Sequence, residues 1–418
     1  MDLSVATELE AGRVSREHRA DRIEAQALLS RISSLSRVRG CRRVSCLPAG
    51  AVNVGAAGST ASGDRRGAFG GLATCGSVWA CPECAQIILV ERQRELEAAF
   101  AEWDARGHQL VLATFTLRHH AGDPLASVWD AVSYAWAAAR GGRGWREDQR
   151  AYGIARLTVC KAHKRTGFAF GNWGVSCGCD SRKRRIDWVR VVEVTQGANG
   201  WHVHVHAALF VRSGLTDLEL VELHANMFER WQAACARKGF LALDVNTMSI
   251  AADRDTRRTV WDRKLGAYLV KGRYRSAAEL AAAELARGDS KKAGGGNRTP
   301  FELLASMVGG ADSAANRGVW REWEQGSLGR RQVSWSRGLR EELIPHMVER
   351  TDDEIIADVE AVEPVLSITR AGWRVVLEAG LRAAVLDAVE CDDSGNMLAD
   401  CLDSWGVEWG PAVRLSAC

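Results

Sequence analysis

The chain has 418 residues, 46% of them hydrophobic and 26% charged, the balance of a folded soluble protein with two or three domains and not one small core. No run approaches the roughly 18 apolar residues of a membrane helix, and the opening stretch MDLSVATELEAGRVSREHRADR lacks the apolar centre of a secretory signal, so a cytoplasmic protein without a membrane partner is expected. The net charge of +3 conceals a split: Glu341 to Cys418 carry 17 acidic against 5 basic side chains, while residues 1–340 carry 50 basic against 35 acidic, which suggests a polyanionic partner for the basic body.

In chain order, residues 2–35 read as a charged, helix-prone lead-in. Residues 49–72, rich in Gly, Ala and Ser, are expected to form a flexible loop. Cys75, Cys81 and Cys84 then follow with five and two residues between them, and Cys81-Pro82-Glu83-Cys84 has the form of a zinc knuckle. A structural zinc ion takes four ligands. Cys41 is the first candidate for the fourth and Cys46 the next, against the plainer reading of buried free thiols. A disulfide framework is not expected in a cytoplasmic chain, even one with 12 cysteines. From Ala85 to Arg106, Ile87, Ile88, Val90, Leu96 and Phe100 fall near one helical face. His108 to Leu117 is short, apolar and rich in strand formers, and Val128 to Ala139 is helical. Cys177 and Cys179 could bind a second ion. The basic run Arg182, Lys183, Arg184, Arg185 is either a solvated loop or a phosphate contact.

From Trp188 to Val211 the pattern becomes strand, turn, strand, with WVRVVEVT and WHVHVHAALFV flanking the turn-forming QGANG. Alternation along a strand projects His202, His204 and His206 from one face and the valines from the other. Loop length leaves two registers open. The one that keeps Val192 and Val194 with Val203 and Val205 puts Glu193 and Thr195 on the histidine face. Two histidines plus a carboxylate suit a divalent cation such as Mg²⁺ or Mn²⁺, whereas histidines alone would favour zinc. Trp201, beside the histidines, is a candidate for stacking on an unpaired base.

Leu215 to Lys238 is predicted helical with Thr216 as its cap. Trp261–Arg275 carries a short helix, Ala277–Arg287 an alanine-rich one, and Lys291–Asn297 a linker. The chain has 4 tyrosines. Tyr268 and Lys271, three residues apart, share a helical face. A phenol with a free pKa of about 10 needs a nearby cation to act as a nucleophile. Taken alone, Tyr268 would more often be a half-buried core residue.

Together, His204-Val205-His206 followed by Tyr268-Leu269-Val270-Lys271 resembles the HUH endonuclease superfamily. Ala113-Thr114-Phe115-Thr116-Leu117-Arg118-His119 resembles the upstream strand motif of the same proteins. Within the superfamily the chain is most similar to plasmid rolling-circle replication initiators of the actinobacterial type. This is carried by Thr74 to Cys84, by Glu193-Val194-Thr195 with Gly200-Trp201-His202, and by the segments at Thr299–Leu304, Trp320–Trp323 and Trp335–Arg340. The resemblance implies a metal-dependent, origin-specific single-strand DNA endonuclease and strand transferase working through a covalent 5′-phosphotyrosine. It implies Tyr268 as nucleophile, His204 and His206 as metal ligands, Glu193 or His202 as the third ligand, and Lys271 as electrostatic helper. The implied partners are a plasmid double-strand origin with its single-stranded nick site, and host replication proteins. Val203 stands where many relatives have proline. Position 272 is glycine where some have a second tyrosine, which leaves Tyr274 as a fallback nucleophile.

The expected fold is α+β. A central antiparallel sheet of about five strands bears the histidines on an inner strand, with the tyrosine helix packed across it. An N-terminal zinc-binding segment and an acidic, mostly helical C-terminal domain flank it. The expected divisions are 1–100 with the cysteines, 101–275 as the endonuclease core, 276–340 as a basic downstream segment and 341–418 as the acidic domain. The competing readings are a conjugative relaxase or transposase of the same superfamily, and a non-catalytic zinc-containing DNA-binding regulator.

Overall fold

The computed structural model describes residues 3–57, 65–157, 182–242, 296–360, 363–392 and 394–413. The chain divides into two units: Met1–Arg94 with Gly272–Arg330 and Val348–Cys418, and Glu95–Lys271 with Arg331–Met347. In chain order the described strands are β1 (Val52–Ala57), β2 (Arg66–Gly70), β3 (Gln109–Arg118), β4 (Ile154–Leu157), β5 (Arg182–Arg185), β6 (Asp187–Gly197), β7 (Gly200–Val211), β8 (Leu241–Ala242), β9 (Val333–Trp335), β10 (Pro364–Ile368) and β11 (Trp409–Gly410).

The second unit is built on a five-stranded antiparallel sheet in the order β8-β3-β7-β6-β9, with the histidine strand β7 in the middle. β6 and β7 pair without a bulge from Asp187↔Phe210 to Gly197↔Gly200, so Ala198 and Asn199 alone make the turn. The ladder thus runs further than the QGANG pattern suggests. Gly200 sits at φ +83°, and a Cβ there would meet the His120 carbonyl oxygen at 2.9 Å, which is why only glycine fits. This two-residue connection sets Val194 opposite Val203, Val192 opposite Val205 and Glu193 opposite His204, the register that keeps the valines together.

Both faces of this sheet are covered. On the valine face Phe115, opposite Val205, packs its ring 5.4 Å from Trp136 of the helix Leu125–Ala139 and 5.1 Å from Trp231 of the helix Asp217–Arg237. The latter helix opens with a capping box between Thr216 and Glu219, which satisfies two otherwise orphaned backbone donors. On the other face Val189, Val191, Ala208 and Phe210 pack with Leu96, Phe100 and Trp103 and with Leu339, Leu343 and Ile344. Within that apolar layer Arg340 is buried against Glu95 at 2.7 Å.

In the first unit the sheet order is β11-β10-β1-β2. Of the flexible loop expected over 49–72, residues 58–64 lie outside the described residues, and the flanking stretches are corrected to strands. Val52 and Val54 are fully buried, and β1 pairs on one side with β2 and on the other with β10 through Val52↔Ile368. Local Gly, Ala and Ser content reads as a loop because the partner that makes β1 an inner strand lies near the far end of the chain. Ile23 of the helix Leu3–Ile32 joins this core with Phe69, Leu366, Trp373, Val385, Val389, Leu398 and Leu402. The segments at 1–100 and 341–418 therefore contribute to one sheet and one core. The C-terminal part is mostly helical, in Asp352–Glu360, Arg370–Glu378, Arg382–Cys391 and Asn396–Ser404. Among the described residues, no helix is long and apolar enough to cross a membrane.

Candidate metal centres

Alternation on β6 and β7 projects Glu193, His202, His204 and His206 from one face, and the unbroken register brings three of them to one point. Glu193 Oε2 lies 3.2 Å from His204 Nε2 and 3.1 Å from His206 Nε2. His204 and His206 are buried, while the Glu193 side chain is 27% exposed, so the cluster opens toward solvent on its carboxylate side. Thr114, opposite His206 on β3, places Oγ1 2.9 Å from His206 Nδ1. His204 Nδ1 is buried without a hydrogen-bond partner, which leaves Nε2 as the nitrogen through which that ring is engaged.

His202 is held differently. His119, just past the end of β3, sits 2.8 Å from the Asn199 carbonyl oxygen through Nδ1 and 2.9 Å from His202 Nδ1 through Nε2. A carbonyl only accepts, so His119 Nδ1 carries a proton. When His119 is neutral, its Nε2 accepts from an N–H at His202 Nδ1, and the lone pair of His202 is then on Nε2.

The donor set fits a divalent cation. Two imidazole nitrogens and a carboxylate oxygen lie within 4.8 Å of one another. Ligands at right angles, each about 2.1 Å from a shared ion, stand about 3.0 Å apart, and the two Glu193–imidazole separations are close to that. Thr114 is placed to accept from His206 Nδ1–H and so fix the ring with Nε2 toward the ion, the usual task of a group behind a metal-bound histidine.

In the first unit Cys41, Cys75, Cys81 and Cys84 are all buried and their sulfurs lie within 4.8 Å of one another. Cys41 and Cys84 are 3.5 Å apart, Cys41 and Cys81 3.6 Å, and Cys75 and Cys84 3.7 Å. A tetrahedron with Zn–S bonds of about 2.3 Å has edges of about 3.8 Å, so the four thiols already have the spacing of a Cys₄ zinc site. Hydrogen bonds from Cys41, Cys75 and Cys81 hold the Cys84 thiol well below its ordinary range, and hydrogen bonding to Cys41 and then to the other two pushes Cys81 well above it. Four thiols this close share their protons unless a cation replaces them. Cys46 is exposed and stands outside the cluster.

The remaining sequence candidates are placed as follows. Tyr268, Lys271, Tyr274, Cys177 and Cys179 lie outside the described residues. Arg182, Lys183, Arg184 and Arg185 form strand β5, paired with β4 and not a loop, with Arg184 exposed and its guanidinium on the Arg150 carbonyl. Trp201 corrects its expectation. It projects from the valine face, away from the histidines, and is 3% exposed, so it serves the core and not a base. Thr114 and His119 were missed as site residues, although both lie in the upstream strand motif. Their one signal is that a strand pairing with β7 must bring its own polar side chains to the histidine face.

No family model matches the chain, and no solved structure matches it significantly. The chain is 32% identical over 367 residues to a protein named "Protein rep" from Streptomyces lividans, covering 77% of this chain and 76% of that protein. It is also 33% identical over 144 residues to a "Neomycin resistance protein" from Streptomyces cyanogenus, covering 34% of this chain and 31% of that protein.

Proposed function

The chain belongs to the Rep protein family, and from that premise we propose that it initiates rolling-circle replication of a plasmid. In this reading it cuts one strand at the double-strand origin and transfers strands through a 5′-phosphotyrosine. The observation that carries the reading is the meeting of Glu193, His204 and His206 on the inner strand of an antiparallel sheet.

Glu193, His204 and His206 would hold Mg²⁺ or Mn²⁺, and such a cation would supply Lewis-acid polarisation of a phosphodiester. His202 presents its Nε2 lone pair beside them, oriented by His119. The Tyr268 oxygen attacks the phosphorus, the bond from phosphorus to the 3′ oxygen breaks, and the departing oxygen takes a proton to become a free 3′-hydroxyl. Lys271, three residues on in the sequence, favours the phenolate and offsets the phosphate charge. The basic strand Arg182–Arg185 holds backbone phosphates of the bound DNA. Host replication proteins extend the free 3′ end. Cys41, Cys75, Cys81 and Cys84 would hold zinc as a folding element without chemistry.

Conversion of supercoiled plasmid carrying the cognate origin to open circles tests this. Nicking should require Mg²⁺ or Mn²⁺ and vanish in His206→Ala. Equal nicking with a chelator present, or by His206→Ala, would refute the assignment of the cluster.

A further inference from the structure

On the valine face of the second unit's sheet, away from Glu193 and the histidines, two arginines stand together without an acidic partner among the described residues. Arg140 caps the C-terminus of the helix Leu125–Ala139. Its guanidinium lies 3.9 Å from the Trp188 ring centroid and 4.3 Å from that of Trp136, and its Nε donates to the Trp136 carbonyl at 3.2 Å. Arg190, two residues past Trp188 on β6, projects from the same face. It stands opposite Ala207 of β7 and Ser334 of the edge strand β9. Arg190 Nε is buried and has no hydrogen-bond partner. Among the described residues, no carboxylate lies against either guanidinium.

This arrangement is costly as it stands. A guanidinium taken out of water is ordinarily paired, and a second cation beside it adds repulsion. Burial, with the charge of Arg190 added, pulls Arg140 down to about 9, and burial lowers Arg190 as well. The Trp136 and Trp188 rings stand nearly perpendicular to each other, 5.4 Å apart, and the Arg140 guanidinium carbon lies over both. A phosphate is the acceptor that two guanidinium forks match best. We infer that Arg140 and Arg190 form a binding site for a backbone phosphate of DNA, on the sheet face opposite the metal cluster. The inference rests on the reading of the chain as a DNA-acting protein, and the phosphate it takes is remote from the one that is cut.

The test measures binding of a short random-sequence duplex to the full chain across a salt series, for wild type, Arg140→Gln, Arg190→Gln and Arg190→Lys. Each lost phosphate contact makes the slope of log affinity against log salt shallower by about 0.9 for a duplex. Both glutamine variants should show that change, and Arg190→Lys should keep the wild-type slope. Without DNA, Arg190→Gln should melt no lower than wild type, since a half-buried charge with no acidic partner among the described residues has been removed. Unchanged slopes in both glutamine variants would overturn the site, and so would a lower melting temperature of Arg190→Gln with an unchanged slope, the mark of a structural cation. Inorganic phosphate that raises the wild-type melting temperature while all slopes stay equal would replace DNA with a small phosphate ligand and overturn the proposal. Nicking of origin plasmid, run in parallel, separates the two readings: a wild type that nicks while the slopes stay equal sinks this site alone, and one that neither nicks nor binds DNA sinks both.

Discussion

Zinc added to the four-cysteine cluster should tighten the first unit by a measurable amount. The four sulfurs are buried at tetrahedral spacing with separations of 3.5 to 3.7 Å, so the folded chain presents a prepared ligand set that the unfolded chain lacks. A ligand that binds only the folded state, free at a thousand times its dissociation constant, stabilises by about 4 kcal/mol. For a unit of this size each kcal/mol moves Tm by about 2–4 °C. Buffered zinc should therefore hold Tm about 8–16 °C above that of the chelated protein. Scanning calorimetry with zinc buffer or chelator measures the shift, and a colorimetric chelator counts the zinc released, expected at one per chain. Cys81→Ser should abolish the shift, whereas Cys46→Ser should leave it whole because Cys46 lies outside the cluster. No released metal, together with equal melting of wild type and Cys81→Ser in zinc, would refute the reasoning.

Other perturbations have similarly defined outcomes. Thr114→Val removes the oxygen 2.9 Å from His206 Nδ1 and should weaken Mn²⁺ binding by about 10- to 100-fold by titration calorimetry, with melting little changed; equal affinity would deny Thr114 its positioning role. Phe115→Ala empties a fully buried site between Trp136 and Trp231 and should cost about 3–5 kcal/mol in denaturant unfolding, so a loss under about 1 kcal/mol would mean the core there is not as described. Gly200→Ala forces a Cβ to 2.9 Å from the His120 carbonyl oxygen at φ +83° and should cost about 1–3 kcal/mol while shifting the His119 and His202 ring resonances. A neutral effect with unmoved resonances would show the turn to be laxer than its geometry implies.

The metal cluster was legible because one strand pattern did several jobs. The alternation of Val192, Val194, Val203 and Val205 declared which face was apolar, and that choice alone placed Glu193 with the histidines. The inner position of β7 and the five-stranded antiparallel sheet followed the family resemblance. Less was legible where partners are distant. Val52 and Val54 look like loop residues until β10 pairs with them. Arg182–Arg185 looks like a solvated charge run until Ile154–Leu157 supplies its ladder. The pairing of His119 with His202 depends on where the end of β3 meets the β6–β7 turn, and the meeting of Arg140 with Arg190 on where a helix ends over a sheet. Neither leaves a spacing to read. Trp201 shows the converse error: adjacency to His202 in sequence puts it on the opposite face of the strand.

In the proposed reaction Tyr268 attacks DNA with help from a cation held by Glu193, His204 and His206. The most direct measurement is covalent trapping. Wild type, Tyr268→Phe and His206→Ala are incubated with single-stranded DNA carrying the nick site and Mn²⁺, run on a denaturing gel, and any adduct is mapped by peptide mass spectrometry. The expected result is an adduct in wild type alone, with the nucleotide on the peptide containing Tyr268. An adduct of equal yield in Tyr268→Phe, or one formed without metal, would contradict the account.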